Sequence, residues 1–126
     1  MSLIWITGLA NSGKTTLARF IKKELDQKFK NVVHIDGDEI REVLSENSYT
    51  YSSRKKLAYR YSKLCKILSD QKLIVIMSTI SMFDEIREWN KRNNKKYFEI
   101  YIKSPLEERL ERDEKKIYKK KKYSHF

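Results

Sequence analysis

Residues 8–15 read Gly-Leu-Ala-Asn-Ser-Gly-Lys-Thr, a G-x-x-x-x-G-K-T spacing whose chemistry is phosphate binding. Gly8 and Gly13 let the backbone wrap with its N–H groups turned inward, a nest that takes anions, with Asn11 and Ser12 in the loop between them. Lys14 is placed to reach the β- and γ-phosphates of a nucleotide, Thr15 to ligate Mg²⁺ through its hydroxyl, and Thr16 to bond the α-phosphate. A second constellation follows at Asp36-Gly37-Asp38, with Arg41 three residues on. Capping a turn needs only one of these aspartates, whereas two carboxylates around a glycine suit proton handling or metal-linked chemistry.

The elements around these residues place them. Residues 3–7 are a short apolar run that reads as a buried strand, and Leu17, Ile21, Leu25 and Phe29 recur at helical spacing behind the loop. Strand, glycine loop and helix in that order are the context the phosphate motif requires. The helix dipole adds its positive end to the same spot. This first helix is expected to end near residues 28–31. A second strand over residues 32–35 runs into the acidic turn, and Asp38 is the expected N-cap of a short helix to residue 44. Residues 45–53 form a polar, tyrosine-bearing connection. A long helix over about 54–71 carries Leu57, Tyr61, Leu64, Cys65 and Leu68 on one face. Arg54 lies near its start, where the dipole disfavours a cation, so an anion facing it is expected. Arg60 is off the apolar face, open to a surface or a ligand role.

Residues 73–77 are an unbroken apolar run, as expected of a central parallel strand, ending at Ser78-Thr79-Ile80-Ser81. A helix over 84–94 and a strand over 97–102, with Phe98, Ile100 and Ile102 alternating, come next. Ser104 and Pro105 start a last helix on which Arg109 and Arg112 lie one turn apart. Arg109 is equally suited to pairing with neighbouring glutamates. Strands alternating with helices mean an α/β fold with a parallel sheet, helices on both faces and right-handed crossovers, with the ligand at the carboxyl ends of the strands. No apolar run ends in a Walker-B aspartate, which counts against GTPases and motor ATPases.

Length and composition set limits on this reading. The 126 residues are expected to form one domain, with a basic lid or tail at about 112–126, and three glycines and one proline leave little room for linkers. No apolar run approaches a membrane span, the N-terminus lacks a signal-peptide layout, and Cys65, alone, reads as a packing residue; a cytoplasmic location is expected. The net charge of +11 points to anionic partners. Six of the eight residues 115–122 are lysine, a run that a solvated face explains or that a polyphosphate ligand uses. Nucleotide binding is the expectation, ahead of nucleic acid.

Taken together, W-I-T-G-L-A-N-S-G-K-T-T-L-A, I-D-G-D-E-I-R, L-I-V-I-M-S-T-I-S and Y-I-K-S-P-L-E-E-R-L-E-R-D with I-Y-K-K resemble the adenylylsulfate kinases, in order and from Ile4 to about Lys120. The resemblance implies a three-layer P-loop kinase fold with a short parallel sheet of order 2-3-1-4. It implies transfer of the ATP γ-phosphoryl group, with Mg²⁺, to the ribose 3′-hydroxyl of a nucleotide. By the same resemblance Asp36 and Asp38 match the acidic pair near the acceptor hydroxyl and Mg²⁺, and Arg41 and Arg54 match arginines that bind the acceptor. Ser78 falls in the serine-bearing stretch, and Arg112 matches an arginine near the ATP base. The chain departs from the family where an asparagine is replaced by Leu57 and a proline by Met82. Adenylylsulfate is one expected acceptor. A related kinase that phosphorylates cytidine diphosphoramidate in capsule modification is the competing identity. The expected partners are therefore ATP and a small anionic nucleotide, with a homodimer left open. A non-catalytic or nucleic-acid-associated P-loop protein is the alternative class.

Overall fold

A computed structural model describes residues 1–103 of the chain. The elements are β1 (Ser2–Gly8), α1 (Lys14–Asp26), β2 (Val32–Asp36), α2 (Gly37–Val43), α3 (Tyr51–Asp70), β3 (Ile74–Thr79), α4 (Asp84–Asn93) and β4 (Tyr97–Ile102). All strand pairs are parallel and the sheet order is β2-β3-β1-β4, as the resemblance implies.

Alternation along the strands divides the core into two layers. Leu3, Trp5, Val75 and Met77 pack with Leu57, Ala58, Tyr61 and Cys65 of α3 and Ile86 of α4. Ile6, Val32, Ile74 and Ile76 face the other way, onto Ala18 of α1 with Leu17, Ile21 and Leu25 around it. Helices therefore cover both faces, and β3 is buried along its whole length, which is why its sequence reads as a continuous apolar run. Cys65 is fully buried and its thiol is pushed up to about 12 by that burial, as fits a packing residue.

Three boundaries differ from expectation, each for a local reason, and so does one position within a strand. α1 stops at Asp26, short of residues 28–31, where the Gln27 and Lys28 N–H groups bond only three residues back, to the Glu24 and Leu25 carbonyls, in a tightened last turn; Phe29 is left 42% exposed, outside the apolar stripe its spacing suggested. The cap of α2 is Asp36 and not Asp38: β2 runs one residue further than expected, and the Asp36 side chain accepts from the Asp38 N–H at 2.8 Å. α3 starts three residues earlier than expected, at Tyr51, because Thr50 accepts the Ser53 N–H at 3.2 Å. On β4, Ile100 and Ile102 pack against the α1 layer, but Phe98 is 56% exposed. The expected helix at Ser104 and Pro105, with Arg109, Arg112 and the basic segment at about 112–126, lies outside the described residues.

Candidate active site at the carboxyl edge of the sheet

The phosphate loop is shaped by backbone conformations that few side chains adopt. Asn11 has φ 61° and Gly13 φ 96°, two left-handed positions that turn the loop back into α1. Gly8 closes the last turn of β1, where an added Cβ would meet Ser12 Oγ at 2.7 Å and the Ile102 carbonyl at 2.8 Å. Only a glycine lets the loop pass so close to β4. Lys14 opens α1, and its Nζ donates to the Leu9 carbonyl at 2.8 Å, across the loop.

The acidic turn is tied directly to this loop. Thr15 Oγ1 donates to Asp36 Oδ2 at 3.0 Å, while Asp36 Oδ1 holds the Asp38 N–H. One carboxylate thus joins the start of α1 to the start of α2. The turn is braced from α3: the buried Tyr61 hydroxyl donates to the Gly37 carbonyl at 2.8 Å, and burial pushes its pKa up to about 12. Thr79 braces it from β3, since a Cβ on Gly37 would meet Thr79 Oγ1 at 2.9 Å.

Between loop, turn and α3 lies a cavity of about 960 Å³. Asn11, Ser12, Gly13, Lys14, Thr15 and Thr16 of the loop and α1 line it, together with Asp36, Asp38, Ser78, Arg41 and Arg54. Every expected site residue within the described part except Gly8 lines it, and Gly8 shapes it from behind. Arg41 Nη1 donates to the Ser48 carbonyl at 2.8 Å and its guanidinium lies 4.2 Å over the Tyr49 ring. Arg54, 6% exposed, donates from Nε to the Tyr49 carbonyl at 3.2 Å and lies about 6 Å from the Tyr51 and Phe83 rings, which meet edge to face. Both cations are thus held at the cavity by carbonyls and aromatic faces. Arg60 is exposed and is not part of the lining.

Several contributors had no signal in the sequence. Tyr61 is one. His34 is another: its Nε2 lies 2.8 Å from Ser78 Oγ, and burial lowers its pKa against the opposing pull of Asp36. The Tyr49 ring lies against Arg41 and the Phe83 ring near Arg54. Contacts spanning 24 and 44 residues leave no spacing pattern to read. Among the described residues no group of three or more His, Cys, Asp or Glu side chains could hold a metal. A Mg²⁺ ion carried in on phosphates needs only one or two protein oxygens, and the Thr15 hydroxyl with the Asp36 carboxylate at 3.0 Å fits that requirement. Also among the described residues, no helix is long and apolar enough to cross a membrane.

Known proteins resemble this chain in sequence and in fold. The chain is 44% identical over 118 residues to the cytidine diphosphoramidate kinase of Campylobacter jejuni, covering 94% of this chain and 69% of that one. It is 40% identical over 121 residues to the adenylyl-sulfate kinase of Thermodesulfovibrio yellowstonii, covering 94% of this chain and 60% of that one. The chain therefore spans about two thirds of the length of these relatives. In fold it matches the Mycobacterium tuberculosis APS kinase CysC, solved in complex with AMPPNP and APS, with a TM-score of 0.82 at 24% identity over 99% of this chain and 75% of that one. The family model for adenylylsulphate kinase matches residues 1–125, so the motifs, the sheet order and the relatives agree: the chain belongs to the adenylylsulfate kinase family, phosphotransferases whose acceptor is a hydroxyl group.

Proposed function

We propose that the protein transfers the γ-phosphoryl group of ATP to the ribose 3′-hydroxyl of a small anionic nucleotide. The observation that carries this reading is the Thr15–Asp36 bond, which fixes the phosphate loop and the acidic turn as one unit facing two arginines across a single cavity. Phosphoryl transfer is mostly positioning and charge stabilisation, and the parts correspond. The loop N–H groups and Lys14 hold the donor phosphates, where a phosphate oxygen competes with the Leu9 carbonyl for the ammonium. Thr15 and Asp36 are the residues that would hold Mg²⁺, which supplies charge neutralisation on the phosphates when bound. With Asp36 assigned to Mg²⁺ beside Thr15, Asp38, which lines the same cavity, is assigned the task of accepting or orienting the acceptor hydroxyl proton. Arg41 and Arg54 suit the anionic group of the acceptor. Residues 1–126 then belong to one kinase domain. The substrates suit a cytoplasmic enzyme.

Two acceptors fit this frame, adenylylsulfate and cytidine diphosphoramidate. Leu57, 2% exposed and in the cavity wall, favours the second. The family's asparagine at that position can hydrogen-bond a base or sulfonucleotide edge; a leucine cannot, which costs an acceptor that needs the bond about 1–3 kcal/mol. The 44% identity to a cytidine diphosphoramidate kinase supports the same choice. The test is incubation with Mg-ATP and each nucleotide, followed by ADP release and location of the new phosphate by phosphorus NMR. Phosphate on the ribose 3′-oxygen, faster with cytidine diphosphoramidate, is the expected result. Phosphate elsewhere refutes the 3′-kinase reading. No transfer to any nucleotide, with ATP still bound, supports a non-catalytic nucleotide-binding protein instead.

A further inference from the structure

We infer that His34 is a positioning residue for the transfer step: it donates its Nε2–H to the Ser78 hydroxyl, so that the one proton Ser78 owns is left to point at an anionic ligand in the cavity. The inference rests on the kinase reading for the nature of that ligand.

The placement of the pair carries the argument. Ser78 is 2% exposed, yet it lines the cavity. Its register partners are Asp36 on β2 and Ile6 on β1, so it stands between the acidic turn and the strand that feeds the phosphate loop. His34 lies two residues before Asp36 on β2 and reaches across to Ser78 Oγ at 2.8 Å. Both side chains belong to the α1 face of the sheet, in alternation with Val32, Ile74 and Ile76. A serine hydroxyl has one proton and two lone pairs, and a neutral imidazole offers either a donor or an acceptor at Nε2. If Nε2 accepts, the serine proton is spent on the histidine and the cavity meets only lone pairs. If Nε2 donates, the serine proton is available to the cavity. The cations around the cavity, Lys14, Arg41 and Arg54, select for an anionic ligand. An anion is repelled by lone pairs and attracted by a hydroxyl proton, so the donating tautomer of His34 is the one that matches the site. The donor also occupies one Ser78 lone pair and so limits the rotation of the hydroxyl, and without it the proton is no longer held toward the cavity.

Two measurements test this. The chain has two histidines, His34 and His125. A long-range proton–nitrogen NMR spectrum of the wild-type protein therefore shows two imidazoles, and His34→Gln identifies one of them. A proton on Nε2 of His34 is expected, and a proton on Nδ1 alone overturns the inference whatever the enzyme phosphorylates. Turnover is then compared in Ser78→Ala, His34→Leu, His34→Gln and the double variant His34→Leu/Ser78→Ala, with AMPPNP affinity and thermal melting measured alongside. The expected result is a fall in kcat of about tenfold in Ser78→Ala and in His34→Leu, the scale of one lost polar partner, and no further fall in the double variant. His34→Gln, whose amide N–H is also a donor, recovers most of the loss. Multiplying losses in the double variant, or equal loss in His34→Gln and His34→Leu, overturns the positioning role. If the wild type transfers phosphate to no nucleotide, the kinase reading fails and the tautomer result alone decides the inference.

Discussion

At Lys14 the ammonium lies 2.8 Å from the Leu9 carbonyl, inside the loop that the motif predicts will cradle phosphates. Lys14→Ala removes the cation that the motif places on the transferring group. Turnover is expected to fall by about 10²-fold or more, the scale seen when a preorganised transition-state donor is removed, with melting little changed. Steady-state ATP consumption with the preferred acceptor checks this, and near-wild-type turnover in a folded variant removes the P-loop mechanism. The two aspartates separate by the same logic. Asparagine is as good an N-cap as aspartate, so Asp36→Asn leaves the bond to the Asp38 N–H available and the fold intact. It removes the charge beside Thr15, and turnover is expected to require more Mg²⁺. Asp38→Asn is expected to bind ATP normally and lose about 10²–10⁴-fold in kcat at any Mg²⁺ concentration, as for a group that handles the acceptor proton. A magnesium titration of both variants distinguishes them, and identical profiles would contradict the division of roles.

At the scale of elements, most of the order of the chain was legible because its signals are local. The loop, the apolar run of β3 and the alternation of strand with helix can each be read within a window of a few residues. What was misread depends on neighbours in space. Asp36 and Asp38 are equally good caps by type, and the choice was made by β2 extending to Asp36 and by Thr15 reaching it from α1. Phe29 fits the helical stripe, but α1 tightens and ends before it, leaving it 42% exposed. His34, Tyr61 and Tyr49 entered the site through contacts that no spacing announces. The glycine motif names Gly8, but only the structure says what its missing side chain makes room for. Gly8→Ala drives a Cβ against the Ile102 carbonyl, which is part of the sheet and cannot give way as a flexible side chain would. We expect a stability loss of about 1–3 kcal/mol in urea unfolding, typical of overpacking, together with a disproportionate loss of nucleotide affinity as the loop shifts. Titration calorimetry with AMPPNP beside the unfolding curve checks the pairing. Unchanged affinity would mean that the loop absorbs the methyl group elsewhere.

Over the whole molecule, packing on both faces of the sheet buries titratable groups from both ends of the pH scale, and this fixes the pH range in which the fold holds. Burial raises Tyr61 from its ordinary value near 10 to about 12, raises Tyr97, and raises Cys65 from near 9 to about 12. These are acids whose neutral form the fold prefers. Above pH 9 the unfolded chain gives up their protons while the folded chain keeps them, so stability falls as pH rises from there toward 12. His34 has the opposite sense. Burial holds its pKa below the ordinary 6.5, so below that pH the unfolded chain takes up a proton that the folded chain refuses, and stability falls as pH drops. Maximal stability is therefore expected between about pH 6.5 and 9, and urea midpoints measured near pH 5.5, 8 and 10.5 should be highest at 8. The 28 lysines and arginines complicate the alkaline side, since neutralising lysines relieves repulsion in a chain of net charge +11. Tyr61→Phe isolates the buried phenol. The variant loses the bond to the Gly37 carbonyl and is expected to be about 1–3 kcal/mol less stable at pH 8, with a shallower decline above pH 9 than the wild type. A decline of equal steepness in both proteins would assign the alkaline limit to groups other than Tyr61, and with it would go the view that the acidic turn is braced by a buried, protonated tyrosine.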